Sequence, residues 1–459
     1  MTAAFVPLSR LLAAGRAPDS PVALHAGRLT VWAELAGRVA GLARVLEAPP
    51  GTRWALFTDD AWAFAAGLLG IWHAGGIAVI PPNGQPGTLK EIAGAGVRGI
   101  VTDRFHAAVG VDVVHALQQV PATVPSWPVL DPAMPRLELF TSGTSGPARV
   151  SAKALAQIDG EVAAHERRWR TAVDGAQAIA TVSHQHIYGL LFRIAWPLTA
   201  GRVFRSGTLL HPPEVAAAMG DAGTAYLVST PAHLRRLAGS PSSLLRLAGS
   251  CRMIFSSGGP LDPLTAETLA GALGVAPTEI FGSTETGGVA WRQQRPGDGE
   301  RWTPFDEVTI DCADDEQRLR VASSWSGGGF TMGDRARVDT DGRFVLGART
   351  DRVVKIGEKR LALPEMEARL QEHPFVARVA LVLVDHRGEP RLACAVVASA
   401  EGAAMLRRDG PRRLGMVLRR WLEPHWDHVL LPRAWRFVDE LPEDAQGKTS
   451  AAALQALFR

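Results

Sequence analysis

A run of hydroxyl-bearing residues and glycines begins near residue 140, directly after the apolar, strand-like residues 137–140. Small residues let backbone N–H groups approach an anion, and side-chain hydroxyls add hydrogen-bond donors. The run therefore fits a phosphate-binding loop, whereas its composition alone favours a Ser/Gly linker. The residues concerned are Thr141, Ser142, Gly143, Thr144, Ser145 and Gly146.

A second glycine-rich segment carries a single carboxylate. Residues 279–281 read as a strand, and Gly282, Thr284 and Glu285 follow Phe281 at its end. One carboxylate at a strand end can hold a Mg²⁺ ion that also contacts substrate phosphates. The alternative is a plain turn in which Glu285 caps the next helix.

Two more residues have two interpretations each. Asp334, which follows a glycine, can accept hydrogen bonds from ribose hydroxyls or pair with an arginine. Lys448 lies in a Gly-Lys-Thr sequence, but the first glycine of a Walker A loop would fall at Pro442, which excludes that motif. Taken alone, Lys448 is therefore a solvated surface lysine.

The elements that must position these residues alternate between strand-like and helix-like patterns. Short apolar runs such as 178–182 and 225–229 are each followed by a turn signal or a helical segment. Residues 62–80 are interrupted at Gly75 and Gly76, so we interpret them as a buried helix, a turn and a strand, not as a membrane span. This alternation predicts a layered α/β domain with mostly parallel strands.

The pattern changes near residue 350. A strand at 353–356, a helix from Pro364, two β-branched runs, a helix over 411–421 and a last strand predict a separate, compact unit. We therefore predict a large N-terminal layered α/β domain, residues 1–350, and a small mobile C-terminal α+β domain, residues 351–459.

Composition excludes several classes of protein. The 459 residues include 49 Lys and Arg against 46 Asp and Glu, and this balance is too even for an electrostatic nucleic-acid binder. Hydrophobic residues make up 46% of the chain, which excludes extended disorder. The three scattered cysteines offer no disulfide framework or CxxC metal site, and the first 20 residues make a poor signal peptide. We therefore expect a cytoplasmic protein without a membrane span.

Taken together and in this order, the segments from Leu137 to Lys448 resemble the adenylate-forming superfamily of acyl-CoA synthetases, peptide-synthetase adenylation domains and luciferases. Residues 186–189, His-Ile-Tyr-Gly, are similar to the family's His-x-x-Gly segment, and residues 347–351 are similar to its hinge motif. The chain departs from the family at residues 148–149, where Ala-Arg replaces Pro-Lys, and at Glu358, where a glycine is usual.

The resemblance implies a role for each matched residue. Lys448 would serve adenylation, Lys355 the second half-reaction, Glu285 the binding of Mg²⁺, and Asp351 the pivot of the hinge. His186 would lie at the acyl pocket. The implied ATP site comprises residues 141–146 with Gly259, Pro260, Phe281, Gly282, Thr284, Asp334 and Arg349. The implied acyl pocket comprises Tyr188, Gly258, Gly287 and Gly288.

The implied reaction has two steps. A carboxylate attacks the α-phosphate of ATP to give an acyl-adenylate and pyrophosphate, and a thiol then attacks the adenylate. The thiol would belong to CoA or to the phosphopantetheine of a separate acyl carrier protein, because we expect no fused carrier domain after Lys448. A kinase that releases ADP, and an inactive binding protein that shows no ATP–pyrophosphate exchange, are the alternatives.

The resemblance also suggests the acid. Residues 186–188 resemble those of hydroxycinnamate- and benzoate-activating ligases, and the short chain is similar to the compact ligases of aryl-polyene and xanthomonadin-type pathways. Tyr188 would form a flat wall, and Gly258, Gly287 and Gly288 would leave a slot for a ring. A core position for Tyr188 and a medium-chain fatty acid as substrate are the alternatives.

The two implied lysines predict opposite defects. Lys448→Ala should abolish adenylation, by about 10²–10³-fold, because a charge-stabilising donor is lost, yet spare thiol transfer from a supplied acyl-adenylate. Lys355→Ala should slow thioester formation and leave adenylation intact. Pyrophosphate exchange and single-turnover thiol transfer measure the two steps, and equal loss of both steps in both variants would contradict separate roles for the two lysines.

Overall fold

The structure is a computed structural model that describes residues 4–82, 84, 86–104, 111–119, 121–141, 149–294, 300–312, 317–349, 352–356, 359–386, 389–443 and 449–459. The chain divides into two compact units, Met1–Thr309 with Val321–Phe330, and Ile310–Arg320 with Thr331–Arg459. The domain boundary near residue 350 stays a prediction.

The first unit alternates strands and helices. Its strands are β1 (Pro21–His25), β2 (Arg28–Val31), β3 (Arg53–Phe57), β4 (Ile77–Ile80), β5 (Gly99–Thr102), β6 (Asp112–His115), β7 (Pro135–Thr141), β8 (Arg149–Ala154), β9 (Gln177–Ala180), β10 (Phe204–Arg205), β11 (Ala225–Ser229), β12 (Cys251–Ser256), β13 (Thr278–Ser283), β14 (Gly287–Gln293) and β15 (Arg301–Pro304). Its helices are α1 (Leu11–Ala14), α2 (Trp32–Val45), α3 (Ala61–His73), α4 (Pro86–Gly94), α5 (Leu155–Trp169), α6 (Ile187–Gly189), α7 (Trp196–Ala200), α8 (Pro212–Ala222), α9 (Pro231–Ala238), α10 (Pro241–Leu247) and α11 (Pro263–Leu273). A 3₁₀ turn at Leu8–Arg10 precedes α1, and a π-helical segment, Leu190–Ala195, joins α6 to α7.

Two mostly parallel sheets organise this unit. One has the order β6-β5-β3-β4-β7-β8, with β7 and β8 antiparallel and the other neighbours parallel. The other contains β15-β14-β13-β12-β11-β9-β10-β1-β2, with parallel pairing from β13 through to β1. The interrupted apolar segment forms α3 and β4, as predicted. The layered α/β fold class is therefore confirmed.

Helix α5 and the segment from α6 to α7 share an aromatic core with one of these sheets. The ring centroids of Phe192 and Phe255 lie 4.9 Å apart, and that of Phe192 lies 4.2 Å from the ring of His165. Burial of His165 lowers its pKa to about 3, so the imidazole is neutral here. The core therefore reads as an aromatic stack built around an uncharged histidine.

A buried carboxylate ties α5 to the start of α7 and to Arg202, which follows that helix. Glu166 accepts hydrogen bonds from Trp196 Nε1 at 2.8 Å and from both terminal nitrogens of Arg202, at 2.6 Å and 3.1 Å. Both charged side chains are buried. Two parallel hydrogen bonds between a carboxylate and a guanidinium fix the orientation of both side chains. Removal of either partner would leave the other as an uncompensated buried charge.

The second unit contains a smaller α+β arrangement. The elements from residue 309 onward, of which the first three lie partly in the first unit, are β16 (Thr309–Cys312), β17 (Arg318–Ser323), β18 (Gly328–Val338), β19 (Phe344–Arg349), β20 (Val353–Ile356), β21 (Lys359–Ala362), α12 (Leu363–Gln371), β22 (Val376–His386), β23 (Glu389–Ala398), α13 (Ala400–Leu422), β24 (Ala434–Phe437) and α14 (Ala451–Ala456). A hairpin turn at the Asp-Gly pair joins β18 to β19, and Gly342 has the positive φ, 81°, that this turn uses. The smaller C-terminal α+β domain of the predicted fold class is confirmed.

One predicted helix is too short. The prediction covers residues 411–421, whereas α13 begins at Ala400, where Ser399 caps it by accepting a hydrogen bond from the backbone N–H of Gly402 at 3.1 Å. Gly410 is non-helical, with φ 79° and ψ 168°, so the helix breaks there and resumes at Pro411. The predicted segment is therefore the second half of a kinked helix.

Within the part of the chain that the structure describes, every helix is too short or too polar to traverse a lipid bilayer.

The buried pair on α5 predicts a stability difference. Glu166→Gln should lower the thermal midpoint by several degrees, since breaking a buried pair costs roughly 3–5 kcal/mol. Glu307→Gln is the matched control, because Glu307 pairs with Arg167 on the surface, where an exposed pair contributes about 1 kcal/mol or less. Equal midpoints for the two variants in a thermal unfolding scan would contradict a stabilising role for Glu166.

Candidate active site

The carboxyl ends of neighbouring parallel strands bring two predicted segments together. Strands β12 and β13 are parallel neighbours, and the segments after them contain Gly258–Pro260 and Phe281–Glu285. Ser257 Oγ donates to the main-chain oxygen of Ile280 at 2.8 Å, which ties the first segment to the second strand. Such strand ends are where α/β sheets offer binding crevices.

The two segments differ in exposure. Gly258, Gly259 and Pro260 are exposed, and a Cβ at Gly259 would meet open space. The ring of Phe281 is half-buried and packs 5.5 Å from the ring of Trp302, at an angle of 52°. The exposed loop and the half-buried ring together can bound a flat ligand.

A tight turn presents Glu285. The backbone N–H of Ser283 donates to Thr286 Oγ1 at 3.0 Å, and the N–H of Thr286 donates to Ser283 Oγ at 3.2 Å. A Cβ at Gly282 would lie 2.1 Å from the main-chain oxygen of Gly287, so a side chain does not fit there. The Gly in this motif is therefore required by the turn itself.

Strand β8 holds this turn from the other sheet. Ser151 Oγ donates to the main-chain oxygen of Thr284 at 3.3 Å, and Lys153 Nζ donates to that of Glu285 at 2.6 Å. Lys153 also donates to the main-chain oxygen of Trp325 at 3.3 Å. We call the hydrogen bonds from Ser151 and Lys153 to the turn the β8 clasp.

Lys153 is only 4% exposed, an unusual position for a lysine. Burial lowers its pKa from the ordinary value, and the charges of Glu161 and Glu285 oppose that shift. No motif in the sequence pointed to this residue. The scarcity of lysine was a signal, because in a chain that uses arginine for most of its 49 basic residues each lysine is a candidate for a specific role. The five lysines are Lys90, Lys153, Lys355, Lys359 and Lys448.

The Glu285 side chain suits a hard cation. It is half-buried, and its carboxylate takes part in no hydrogen bond or ion pair with the residues that the structure describes. Across those same residues there is no group of three or more His, Cys, Asp or Glu side chains that could hold a metal alone. A lone carboxylate fits Mg²⁺, which typically relies on one or two carboxylates, water and substrate phosphates.

The space beside Gly287 and Gly288 is not open. Glu161 Oε1 accepts a hydrogen bond from the N–H of Gly288 at 2.6 Å, and a Cβ at Gly287 would lie 2.4 Å from Glu161 Oε2. A Cβ at Gly288 would also meet the ring of Phe305, at 3.1 Å. The expected slot for a substrate ring is therefore wrong on this side, because protein side chains fill it.

The carboxyl group of Glu161 is itself unusual. It lies on α5, is 5% exposed, and has a pKa raised to about 7 by burial, against the opposing effects of the Gly288 hydrogen bond and Lys153. His165 Nε2 lies 4.0 Å from Glu161 Oε1. The turn that carries Glu285 thus rests on a buried polar layer.

The predicted acyl-pocket residues begin helix α6. His186 is the residue before the helix, with extended backbone, and its main-chain oxygen accepts from the N–H of Leu190 at 2.8 Å. The half-buried ring of Tyr188 packs 5.1 Å from that of Phe192. The Tyr188 hydroxyl is buried beside the backbone of Ser229, and burial raises its pKa well above the usual value.

The second unit pairs two further predicted residues. Asp334, which is buried, lies opposite Arg349 in the register of β18 and β19. Thr141 and Lys355 have their backbones in β7 and β20. Ser142, Gly143, Thr144, Ser145, Gly146, Asp351 and Lys448 lie outside the described residues, as do Ala148, Gly357 and Glu358.

Comparison with known proteins identifies the family. The family model described as AMP-binding enzyme matches residues 12–323, and the AMP-binding enzyme C-terminal domain matches residues 365–448. The chain belongs to the AMP-binding enzyme family. This result confirms the resemblance to the adenylate-forming superfamily.

The sequence of this chain is moderately similar to those of curated proteins. The chain is 29% identical over 275 residues to the 4-coumarate–CoA ligase of Rhodobacter capsulatus, covering 60% of this chain and 64% of that protein. It is 29% identical over 160 residues to the acetyl-coenzyme A synthetase of Nitrosomonas europaea, covering 34% and 24%. The chain therefore matches less than two thirds of the length of these relatives.

Solved structures agree in fold. ATP-bound MatB from Rhodopseudomonas palustris superimposes with a TM-score of 0.79 at 19% identity, covering 99% of each chain. A benzoate CoA ligase from Burkholderia xenovorans LB400 gives a TM-score of 0.78 at 18% identity, covering 98% of each chain. These likenesses support the α/β architecture over the whole chain.

The glycine in the Glu285 turn predicts a defect in the site. Gly282→Ala should reduce ATP–pyrophosphate exchange by roughly 10²-fold, because the new Cβ must displace the Gly287 carbonyl and with it the turn. Gly271→Ala, in α11, is the control, since a Cβ there meets nothing within 4 Å. The turn is not essential if both variants keep wild-type exchange and the same thermal midpoint.

Proposed function

We propose that the protein is an AMP-forming acid–thiol ligase, which activates a carboxylic acid with ATP and passes the acyl group to a thiol. The observation that carries this proposal is the Glu285 carboxylate, which is held on a backbone-fixed turn beside Phe281 and the loop after β12. Family membership supports the use of ATP. Acid–CoA ligation is the activity printed in the names of two curated relatives.

In the proposed first step, a carboxylate oxygen of the acid attacks the α-phosphorus of ATP. The bond from the α-phosphorus to the bridging oxygen breaks, and pyrophosphate leaves. Bound Mg²⁺ would neutralise charge on the phosphate oxygens. Glu285 would hold that ion, residues 141–146 would cradle the phosphates, and Lys448 would stabilise the charge that develops.

Other matched residues would bind the nucleoside. Phe281 would present its ring to adenine, bounded by Gly259 and Pro260, because stacking needs only a flat aromatic face. Asp334 would accept from the ribose hydroxyls, and Arg349 would contact the nucleotide. In the second step a thiol attacks the acyl carbonyl, AMP leaves, and Lys355 would assist after the small domain turns about Asp351.

We propose an aromatic acid of benzoate or hydroxycinnamate size as the substrate. Support comes from Tyr188, whose half-buried ring backs onto Phe192 at the start of α6, next to His186. One relative is named a 4-coumarate–CoA ligase, and structural neighbours include benzoate and anthranilate CoA ligases. Gly258 stays in the proposed pocket, since it is exposed at the end of β12.

The acceptor would be CoA or the phosphopantetheine of a carrier protein. Besides CoA ligases, the relatives include a peptide synthetase, since the chain is 34% identical over 125 residues to the phosphinothricin tripeptide synthetase PhsC of Streptomyces viridochromogenes, covering 27% of this chain and 11% of that protein. The cysteines at 251, 312 and 394 are unpaired, which fits a reducing, cytoplasmic setting.

The proposal predicts the products and the preferred acid. Wild-type protein with ATP, Mg²⁺ and a benzoate or cinnamate should release pyrophosphate, and thioester should appear when CoA or a carrier protein is added. Tyr188→Ala should reduce kcat/KM for aryl acids more than for alkyl acids, by a difference of roughly 1–3 kcal/mol, because the ring contact is lost. Tyr188→Phe is the control, since it keeps the ring.

A pyrophosphate-release screen over aryl and fatty acids decides between the outcomes. Release with octanoate or decanoate alone would replace the aryl acid by a medium-chain fatty acid. ADP in place of pyrophosphate would indicate a kinase and overturn the ligase proposal.

A further inference from the structure

Strand β8 follows the predicted phosphate loop. Alternate side chains on one face of this strand contact the turn that carries Glu285. Side chains two residues apart on a strand face the same side, and Ser151 and Lys153 form such a pair. They donate to the consecutive main-chain oxygens of Thr284 and Glu285. One strand face therefore holds two successive peptide units of the turn.

The β8 clasp joins two separate sheets. Strand β8 pairs with β7, and its register places Thr141 opposite Arg149 on either side of residues 142–148. The turn lies between β13 and β14, which belong to the other sheet. The clasp thus fixes β8, the strand that follows the predicted phosphate loop, to the turn that carries the residue proposed to hold Mg²⁺.

We propose that Lys153 is a positioning residue, whose hydrogen bond to the Glu285 backbone aims the Glu285 carboxylate at the metal on the phosphates. This inference rests on the proposed function of the same site. Lys153 touches neither substrate nor metal in this account, and acts through the peptide group of Glu285.

The choice of a lysine supports a positioning role. Burying an ammonium group is costly, whereas a neutral residue would fill the same space without that cost. The long side chain spans from β8 to two carbonyl oxygens in different segments, at Glu285 and Trp325. An ammonium makes stronger hydrogen bonds to carbonyls than a neutral donor makes.

Gln157 provides a matched comparison. It lies in the first turn of α5, and its Nε2 donates to the same Trp325 oxygen at 2.9 Å. In the part of the chain that the structure describes, it makes no hydrogen bond to Glu285. Loss of Lys153 and loss of Gln157 therefore both remove a donor to Trp325. Only the first removes the tether on Glu285.

The test compares Lys153→Met with Gln157→Met. For each we would measure the Mg²⁺ concentration at half-maximal pyrophosphate exchange, and independently the affinity for Mn²⁺ with ATP by electron paramagnetic resonance. Lys153→Met should weaken metal binding by about 10–100-fold in both measurements, as expected when a group that orients a metal ligand is removed. Gln157→Met should keep the wild-type metal dependence despite a lower thermal midpoint. Lys153→Arg, which keeps a charged donor, should recover part of the affinity.

Wild-type metal affinity in Lys153→Met would overturn the inference, as would an equal loss in both Met variants. If Lys153→Met does not fold, Ser151→Ala tests the same clasp through its weaker hydrogen bond, 3.3 Å to Thr284. It should weaken metal affinity by a few fold in the same direction, and no change would overturn the inference.

The inference and the proposed function fail in different ways. If wild-type protein releases no pyrophosphate with any acid, the proposed ligase activity fails, yet Mn²⁺–ATP affinity still tests Lys153. If wild type is active and Lys153→Met shows unchanged metal dependence, the positioning role alone fails.

Discussion

The hydrogen bond from Lys153 Nζ to the main-chain oxygen of Glu285, 2.6 Å long, joins the two sheets of the first unit at the candidate active site. One sheet supplies the strands that flank the predicted phosphate loop, and the other supplies the turn with the lone carboxylate. A reaction in which the protein mainly positions and neutralises phosphates depends on the distance between those two parts. The hydrogen bond between β8 and the Glu285 turn fixes that distance within the folded first unit.

The packing behind the turn explains why small residues occur there. Gly282 and Gly287 approach each other too closely for a Cβ, and Glu161 occupies the space beside Gly287 and Gly288. This polar layer also contains Lys153. Buried charges in such a layer must be satisfied by hydrogen bonds, so changes within it should affect the site more than changes on the outer helices.

Much of this arrangement could be predicted from the sequence, because local patterns determine it. Apolar runs identified β4, β9, β11 and β13, and Glu285 follows the end of β13 as expected. The family resemblance, not a local pattern, put Gly259, Pro260 and Phe281 in one site, and the parallel pairing of β12 and β13 brings their segments together.

Contacts between distant residues could not be predicted in this way. Lys153 meets the Glu285 oxygen across 132 positions of sequence, and Glu161 meets the Gly288 N–H across 127. A strand pattern predicts which side Lys153 faces but not the carbonyl it meets. The slot expected beside Gly287 and Gly288 was wrong for the same reason, since nothing local indicates that α5 fills it. The start of α13 was missed because a glycine break separates its halves.

The most direct test of this account is a crystal structure of the protein with ATP and Mg²⁺. The account predicts a Glu285 carboxylate oxygen at roughly 2.0–2.1 Å from the ion, with phosphate oxygens completing its coordination. Lys153 Nζ should still donate to the Glu285 backbone. A metal held by other residues, or a Glu285 turn that binds Mg²⁺ with Lys153 swung away, would contradict it.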